Sequence, residues 1–465
     1  MVHAEEYKKK ALDRKLRFQN QKKKNNIFKA RRANNTKKRF YPYPQQQQQK
    51  PAENGPATLR KRGFFKILPA DDLAKVPKCD HGPCLLFEKK DEGKPDEVYF
   101  ACAVYRNKAE LCDFRKNFDK ETREFIEDEA EAGNSAENEE DVKKKKKKKT
   151  IFGYNQIPKS LASFSPQDTV LYCEHCINVF ANKHACVCAE IDRQKLSYPT
   201  QILPPLDEQN GESQFFFSQE SLDVIVSTIE NSGVDGVLCL GAPRIFETVR
   251  AKNPTKNVFM LDYDKRFAKF YPSKQFAQYS MLVDHFYDKN SEEKIMEFFE
   301  KSTKVILVVD PPFGVFMEPL LKSIDKMKDR FEKTGKVRSN FYSMIILPIF
   351  IRKYVLHDDF WMSDYRVTYS NHKLYSYPEK TIVRIFTNLP KPSMNLKFLA
   401  PDYKYCTPCQ KWVTKSNEHC EKCENCTNIE TGKFRHCDQC SKCVKPTYIH
   451  CHNCSKCHLY KRCEF

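Results

Sequence analysis

At 465 residues, the chain exceeds what one hydrophobic core normally organises, so we expect two to four folded units joined by linkers. The formal net charge of +19 indicates an anionic partner, with nucleic acid the leading candidate. A run of about eighteen apolar residues is absent, which excludes a membrane-spanning helix, and the N-terminal region is too rich in lysine for a signal peptide. We therefore expect a soluble, intracellular protein that does not associate with membranes.

Two stretches have too few apolar residues to bury a core. Residues 1–62 are rich in Lys, Arg, Asn and Gln, which predicts a disordered basic arm. This arm would serve nuclear import or RNA phosphate contacts, or it would only aid solubility. Residues 121–150 form a second predicted linker, in which the acidic stretch 127–141 precedes the seven lysines of 143–149.

The 21 cysteines indicate metal thiolates rather than disulfides, because the cytosol and the nucleus keep thiols reduced. Two segments that precede the central region, 70–120 and 165–200, carry cysteine and histidine at zinc-ligand spacing. The first predicted site comprises Cys79, His81, Cys102 and Cys112, with Cys84 as a nearby non-ligand. The second comprises Cys173, Cys176, His184 and either Cys186 or Cys188, of which Cys188 leaves the familiar three-residue gap after His184.

Between 210 and 395, strand and helix signals alternate, which predicts an open α/β sheet. Ser218 is a candidate N-cap for a helix with an apolar face, and Gly233 is expected to end it. Short, continuous apolar runs are typical of parallel strands covered on both faces: Val237–Leu240, Val258–Leu261, Val305–Val309 and Met344–Leu347. Two later β-rich segments, Tyr365–Tyr369 and Thr381–Phe386, predict a terminal antiparallel hairpin.

Asp310-Pro311-Pro312-Phe313 directly follows the Val305–Val309 strand, at the sheet edge where open α/β folds bind ligands. This motif suits methylation of an adenine amino group, a poor nucleophile whose hydrogen bonds Asp310 and the Pro311 carbonyl would accept. Proline holds that carbonyl outward because it fixes φ, and Phe313 offers a face for a splayed-out base. The alternative is an ordinary strand-end turn.

Two further residues support a donor pocket at that edge. Gly241 follows the first buried strand and permits close backbone approach, although its loop is not a Gly-rich phosphate loop. Asp262, about twenty residues later, occupies the position where an acidic residue binds ribose hydroxyls, or it is only a turn residue. Cys239 lies within a predicted strand and is expected to be core.

Region 401–465 repeats the pattern His-Cys-x2-Cys-x2-Cys three times. So short a segment has little apolar core, and zinc must supply its folding free energy. The spacing provides for at least three zinc ions but leaves the pairing of ligands open. The predicted ligands are Cys406, Cys409, His419, Cys420, Cys423, Cys426, His436, Cys437, Cys440, Cys443, His450, Cys451, Cys454, Cys457 and Cys463. Basic and aromatic residues between them predict RNA contact.

Together these parts resemble the zinc-finger CCHC-domain-containing ribosomal RNA N6-adenosine methyltransferases over roughly residues 70–465. The order of parts matches: a GRF-type finger, a C2H2-like finger, a Rossmann-like class I methyltransferase domain containing Asp310-Pro311-Pro312-Phe313, and a Cys/His-rich C-terminal domain. The resemblance implies methylation of one stem-loop adenosine of large-subunit ribosomal RNA, in support of ribosome biogenesis and translation. It also implies a nuclear and nucleolar location, with the cytoplasm as a further one.

By matching positions, the resemblance implies that Asp310, Pro311, Pro312 and Phe313 are catalytic and that S-adenosylmethionine binds nearby. The implied donor pocket comprises Phe215, Phe216, Phe217, Ser218, Gly241, Arg244, Asp262, Asp284, His285 and Asp310. About five or more zinc ions are expected. Ribosome-biogenesis or RNA-helicase proteins are the expected protein partners of a monomer.

Two other classes of function compete with this interpretation. In the first, the chain is a non-catalytic RNA-binding zinc protein with a scaffold Rossmann domain, against which the intact Asp-Pro-Pro-Phe argues. In the second, the enzyme methylates DNA adenine or protein glutamine. Zinc modules and a basic arm favour nucleic acid over protein, while the choice of RNA over DNA depends on the resemblance.

Overall fold

The computed structural model describes residues 64–70, 76–90, 95–104, 112–126, 165, 167–206, 214–356, 359–428, 433–460 and 462–463. The predicted arm 1–62 and most of the predicted linker 121–150 lie outside these residues. All described residues belong to one compact unit. Within them, no helix is long and apolar enough to cross a membrane.

The first cysteine-containing segment folds as an antiparallel sheet. Its strands are β1 (Phe64–Leu68), β2 (Lys78–Cys79), β3 (Gly82–Lys90), β4 (Glu97–Cys102) and β5 (Arg115–Asn117), in the order β1-β3-β4-β5 with β2 paired to β3. Cys84, Leu86, Phe100 and Phe118 form its small buried core. Cys84 therefore packs as an apolar side chain, in keeping with its predicted role as a non-ligand.

The second segment is a three-stranded sheet of order β7-β6-β8. Its strands are β6 (Val170–Cys173), β7 (Asn178–Ala181) and β8 (Ala189–Glu190), and 3₁₀ turns at Arg193–Ser197 and Pro199–Gln201 follow. The second turn is fastened to the central domain, because Glu247 accepts hydrogen bonds from both the amide and the hydroxyl of Thr200.

The central domain is an eight-stranded sheet of order β12-β11-β10-β9-β13-β14-β16-β15. Its strands are β9 (Gly236–Leu240), β10 (Asn257–Asp262), β11 (Phe276–Ser280), β12 (His285–Phe286), β13 (Val305–Val309), β14 (Phe341–Pro348), β15 (Trp361–Met362) and β16 (Val383–Thr387). The five central strands are parallel, whereas β12, β16 and β15 run antiparallel to the strands that they pair with. The predicted α/β fold is confirmed.

Helices cover this sheet: α1 (Gln219–Asn231), α2 (Pro243–Lys252), α3 (Ser291–Glu300), α4 (Met317–Glu332) and the short α5 (Arg352–Val355). Helix α1 begins as predicted, since the Ser218 hydroxyl accepts a hydrogen bond from the Ser221 amide. Gly233, with φ +70°, follows its C-terminus. Helices α3 and α4 bury Phe299 and Phe331 against Phe341 of β14, which closes the core on one face of the sheet.

The predicted terminal hairpin is wrong in its first half, because Tyr365–Tyr369 is not a strand. Strand β16 does form, but it pairs with β14 and β15. The backbone of Tyr365–Tyr369 is used differently: the Thr368 carbonyl accepts from the Ser218 amide, and the Thr368 amide donates to the Ser221 hydroxyl. This segment is therefore tied to the start of α1.

The C-terminal region is a row of four short hairpins. They pair β17 (Tyr403–Cys406) with β18 (Lys411–Thr414), β19 (His419–Cys420) with β20 (Asn425–Cys426), β21 (Arg435–Cys437) with β22 (Lys442–Val444), and β23 (Tyr448–Cys451) with β24 (Lys456–Leu459). The first hairpin is joined to the central domain by the buried Asp364, which accepts from the Thr414 amide and, at 2.6 Å, from the Asn417 side chain.

Candidate active site and metal centres

The carboxyl ends of β9, β10 and β13 bring Gly241, Asp262 and Asp310 to one edge of the sheet. The Asp310 amide donates to the Leu240 carbonyl over 3.1 Å, and the Gly241 amide donates to the Leu261 carbonyl over 2.9 Å. Strand order reverses at β9, which has β10 on one side and β13 on the other. This is the crevice in which open α/β sheets bind their ligands.

Gly241 is at the closest approach of these loops. Its φ is +67°, a left-handed conformation that side chains rarely adopt. A Cβ atom at this position would lie 3.0 Å from the Asp310 carbonyl oxygen and 3.1 Å from the Met281 methyl group. The loops after β9 and β13 can therefore approach this closely only because Gly241 has no side chain, and this close approach is called the glycine turn below.

Asp262 ends β10 with its side chain 7% exposed. Burial, followed by the nearby Asp264 carboxylate, raises the pKa of Asp262 to about 7. One of its oxygens accepts from the Asp264 amide at 2.8 Å. Donors such as a pair of ribose hydroxyls would stabilise the ionised carboxylate at this position.

Asp310 is partly accessible, and Tyr369 contacts it. Desolvation by the surrounding protein holds the pKa of Asp310 well above its ordinary value, while a hydrogen bond donated by the Tyr369 hydroxyl to Oδ1 over 3.0 Å acts in the opposite direction. Beyond Asp310, the Val315 amide donates to the Pro312 carbonyl and closes the loop into a turn. The predicted catalytic motif thus lies in a defined loop at the ligand edge.

Aromatic rings surround Phe313. They belong to Phe215 at 6.0 Å, Tyr375 at 5.6 Å, Tyr369 at 5.7 Å and His372 at 6.2 Å, measured between ring centroids. Burial lowers the pKa of His372 to about 4, so its imidazole is neutral near pH 7. Its Nδ1 accepts from the amides of Leu374 and Tyr375, which places the ring proton on Nε2. This aromatic cluster, formed by the five rings, suits contact with a planar base.

The segment Phe215–Ser218 lies beside the same loop. Arg244 Nη1 donates to the Phe217 carbonyl over 2.7 Å, and its guanidinium lies 5.5 Å from the centre of the Phe216 ring. Ser218 is used structurally, as the cap of α1. The structure therefore brings Phe215, Phe217 and Arg244 together near the ligand edge, as the predicted donor pocket requires.

Asp284 and His285 are placed differently from the other residues of the predicted methyl-donor pocket. The Asp284 carboxylate accepts two hydrogen bonds from Arg330, at 2.7 and 3.0 Å, and one from the Tyr279 hydroxyl at 2.7 Å. Its side chain is thus occupied within the protein. The His285 ring contacts Tyr287 edge-on at 4.9 Å, and the Tyr287 hydroxyl donates to the His81 carbonyl over 2.6 Å. The turn therefore joins the sheet edge to the first metal group.

The first two metal groups lie in the N-terminal sheets. Cys79, His81, Cys102 and Cys112 converge as predicted, with ligand atoms all within 4.8 Å of one another. In the second group, the structure corrects the predicted Cys188: Cys173, Cys176, His184 and Cys186 converge. A bend after His184 brings the Cys186 sulfur to 3.9 Å from that of Cys176. The Cys188 thiol, at the entrance to β8, donates to the Cys186 carbonyl and lies beside the Cys173 thiol.

The C-terminal ligands form interleaved groups. Each group joins two cysteines to the histidine and the last cysteine of the following repeat, and the first group takes its two cysteines from the pair that precedes the repeats: Cys406, Cys409, His419 and Cys426; Cys420, Cys423, His436 and Cys443; Cys437, Cys440, His450 and Cys457. In all three, the histidine Nδ1 lies 3.2 Å from the second cysteine sulfur. The pairing that the sequence left open is thereby resolved.

A further group at the C-terminus includes His458, which the sequence interpretation missed. Cys451 and Cys463 bring their sulfurs to 3.7 Å, and the His458 ring interacts with Cys451 and Cys454. The His458 Nδ1 donates to the Leu459 carbonyl at 2.7 Å, while Nε2 is buried without a hydrogen-bond partner. An imidazole fixed in this tautomer presents its lone pair to a metal ion. The spacing Cys-x2-Cys-x3-His-x4-Cys was the available signal.

Comparisons with known proteins agree with this geometry. Residues 208–383 match a family described as "Probable N6-adenine methyltransferase". The rRNA N(6)-adenosine-methyltransferase ZCCHC4 of Mus musculus is 31% identical over 391 residues, which cover 79% of this chain and 74% of the relative. The chain belongs to the ZCCHC4 family. The Homo sapiens protein of the same name is 29% identical, over 80% of this chain and 75% of its own. That of Xenopus tropicalis is 29% identical, with 77% and 76% covered.

Membership of the ZCCHC4 family makes S-adenosylmethionine the methyl donor, and the residues present fit it. Gly241 lets the loops at the sheet edge approach closely, Asp262 offers a carboxylate for ribose hydroxyls, and Asp310 contacts the aromatic cluster through Tyr369. The cysteine and histidine groups fit zinc equally well, because four sulfur and nitrogen ligands are its usual structural donor set.

Proposed function

We propose that this chain transfers a methyl group from S-adenosylmethionine to the N6 atom of an adenosine in ribosomal RNA. One observation carries the proposal: Asp310 lies between the glycine turn of the sheet edge and a cluster of five aromatic rings, with its carbonyl beside Gly241 and its carboxylate on Tyr369. The names of the family relatives support the choice of ribosomal RNA as substrate.

The chemistry required of the protein is modest. The adenine amino group is a weak nucleophile, because its lone pair is delocalised into the ring. Its nitrogen gains positive charge as the new N–C bond forms. Asp310 accepts a hydrogen bond from that group and stabilises the developing charge. When bound, S-adenosylmethionine would supply a methyl group on a sulfonium sulfur, which would keep the electron pair of the broken C–S bond as a neutral thioether. The amino nitrogen would then give one of its protons to solvent. Alignment of the two reactants supplies much of the rate.

The zinc modules supply the RNA-binding surface in this proposal. In the C-terminal hairpins, basic and aromatic residues lie between the ligands, where they offer phosphate contacts and stacking faces: Lys411, Trp412, Lys415, Lys433, Phe434, Arg435, Lys442, Lys445 and Tyr448. A stem-loop of large-subunit RNA is the finer substrate that we propose. We also propose that the protein acts in the nucleus and nucleolus, as a monomer, together with ribosome-biogenesis or RNA-helicase proteins.

The test is transfer of a labelled methyl group to total RNA from cells that lack the protein, followed by nucleoside analysis of each ribosomal RNA. We expect N6-methyladenosine in the large-subunit RNA with the wild type and none with Asp310→Ala, whose zinc content and folding should remain unchanged. Transfer at wild-type rate by Asp310→Ala would refute the catalytic assignment. Equal activity on a DNA oligonucleotide of the same stem-loop sequence would contradict the RNA preference.

A further inference from the structure

The hydroxyl of Tyr369 lies against the carboxylate of Asp310, although the two residues are far apart in the sequence. It donates to Oδ1 over 3.0 Å, and Tyr369 is only 1% exposed. We propose that Tyr369 is a positioning residue for methyl transfer, which orients the Asp310 carboxylate and favours its ionised form, so that its second oxygen accepts from the substrate amino group. The inference rests on the proposed function and adds to it a residue that reaches the reaction only through Asp310.

The position of this hydroxyl is set by rigid surroundings. The Tyr369 ring stacks on Phe217 with centroids 4.9 Å apart, and the two residues form an antiparallel bridge. The Tyr369 amide donates to the Tyr375 carbonyl over 2.9 Å, and the next amide, that of Ser370, donates to the Phe216 carbonyl over 2.7 Å. Ring and backbone are therefore both fastened, so the hydroxyl meets Asp310 at a fixed point.

The hydrogen bond acts on the protonation state that methyl transfer needs. A carboxylate accepts through both oxygens, whereas a protonated Asp310 would present an O–H to the amino group. Desolvation raises the pKa of Asp310, and the Asp262 carboxylate at the end of β10 acts in the same direction. The hydrogen bond from Tyr369 lowers the pKa of Asp310. The phenols of Tyr375 and Tyr369 are uncharged near neutral pH, and the imidazole of His372 is neutral there as well. Of these groups, Tyr369 is therefore the one that favours the ionised carboxylate.

Tyr369→Phe removes this hydroxyl and keeps the stacked ring. We expect kcat to fall roughly 10- to 100-fold, as for loss of a hydrogen bond to a charged group, with little change in KM for S-adenosylmethionine. The acid limb of the kcat profile should move upward by about one pH unit. Tyr365→Phe is the matched control, because Tyr365 is equally buried and donates its hydroxyl to a different carboxylate, that of Glu220.

A second measurement requires neither donor nor RNA. Carboxyl ¹³C NMR of aspartate-labelled protein follows the titration of Asp310, whose signal is identified by its loss in Asp310→Asn. In Tyr369→Phe this carboxyl should titrate at higher pH than in the wild type, and in Tyr365→Phe it should not. An unchanged titration would overturn the inference, as would a fall in kcat that Tyr365→Phe shares equally. Wild-type protein that transfers no methyl group would refute the proposed function and the catalytic part of this inference, while the titration still reports on the hydrogen bond itself.

Discussion

Substitution of Gly241 by alanine tests whether the catalytic loop depends on the close approach of the Gly241 and Asp310 loops. The new Cβ would meet the Asp310 carbonyl oxygen at 3.0 Å, so that oxygen must yield by a few tenths of an ångström. Met281 offers less resistance, because its methyl group is the end of a flexible side chain. Gly241 also has φ +67°, and a left-handed alanine costs about 1 kcal/mol in free energy of unfolding.

Gly233→Ala separates these two effects. Gly233 has φ +70°, and nothing lies within 4 Å of its added Cβ, so it bears the conformational cost alone. We expect Gly241→Ala to lower the free energy of unfolding by a further ~1–3 kcal/mol, as overpacking does, and to reduce kcat on the order of tenfold through displacement of Asp310. Denaturant unfolding and methyl-transfer kinetics measure the two quantities. Equal unfolding free energies for the two variants, with full activity in Gly241→Ala, would refute the reasoning.

Three further predictions concern zinc and pH. His458→Ala should bind one zinc ion fewer per chain than the wild type by elemental analysis, whereas Cys188→Ser should keep the full complement of zinc. Equal zinc content in the two variants would contradict the assigned ligands. Chelation should raise hydrogen exchange in the four C-terminal hairpins while β13 stays protected, because the hairpins depend on metal and the sheet on apolar burial. A uniform response would count against this division. Burial raises the pKa of Glu247 from 4.5 to about 7, so the folded state binds the extra proton. Its contribution to stability should be full below about pH 4.5 and decline as pH rises to about 7, and Glu247→Gln should flatten that part of the stability profile; an unaltered slope would argue against it.

The strands of the central sheet could be predicted because a strand that is buried on both faces is recognisable from its own run of apolar residues. Val305–Val309 has the predicted bounds, since a parallel strand covered on both faces must be apolar throughout. Phe276–Ser280 gave no such signal, because Gln278 and Ser280 interrupt its apolar character. The wrong strand at Tyr365–Tyr369 shows the converse: these β-prone residues make their backbone hydrogen bonds with Ser218 and Ser221 at the start of α1, which only tertiary structure brings near.

Part of the candidate site could likewise be predicted from the sequence, and part of it could not. Asp310, Gly241 and Asp262 follow apolar strands, so their convergence at one sheet edge could be predicted from strand order. Tyr369 and His372 could not be assigned, because no spacing rule links them to Asp310. Among the metal ligands, it was easier to predict which residues are ligands than which of them share one ion. The repeated cysteine spacing reveals donors, but a bend of two residues decides between Cys186 and Cys188.

The interleaved C-terminal groups make neighbouring ligands serve different ions. His419 belongs to one group and Cys420 to the next, and His436 with Cys437 repeats the arrangement. The second and third ions therefore each bind two successive repeats, whereas the first binds the leading cysteine pair and the first repeat. Adjacent ions are joined through a single peptide bond. The array should load and release its metal as a linked series, so that oxidation of one thiol in the middle loosens the repeats on both sides of it.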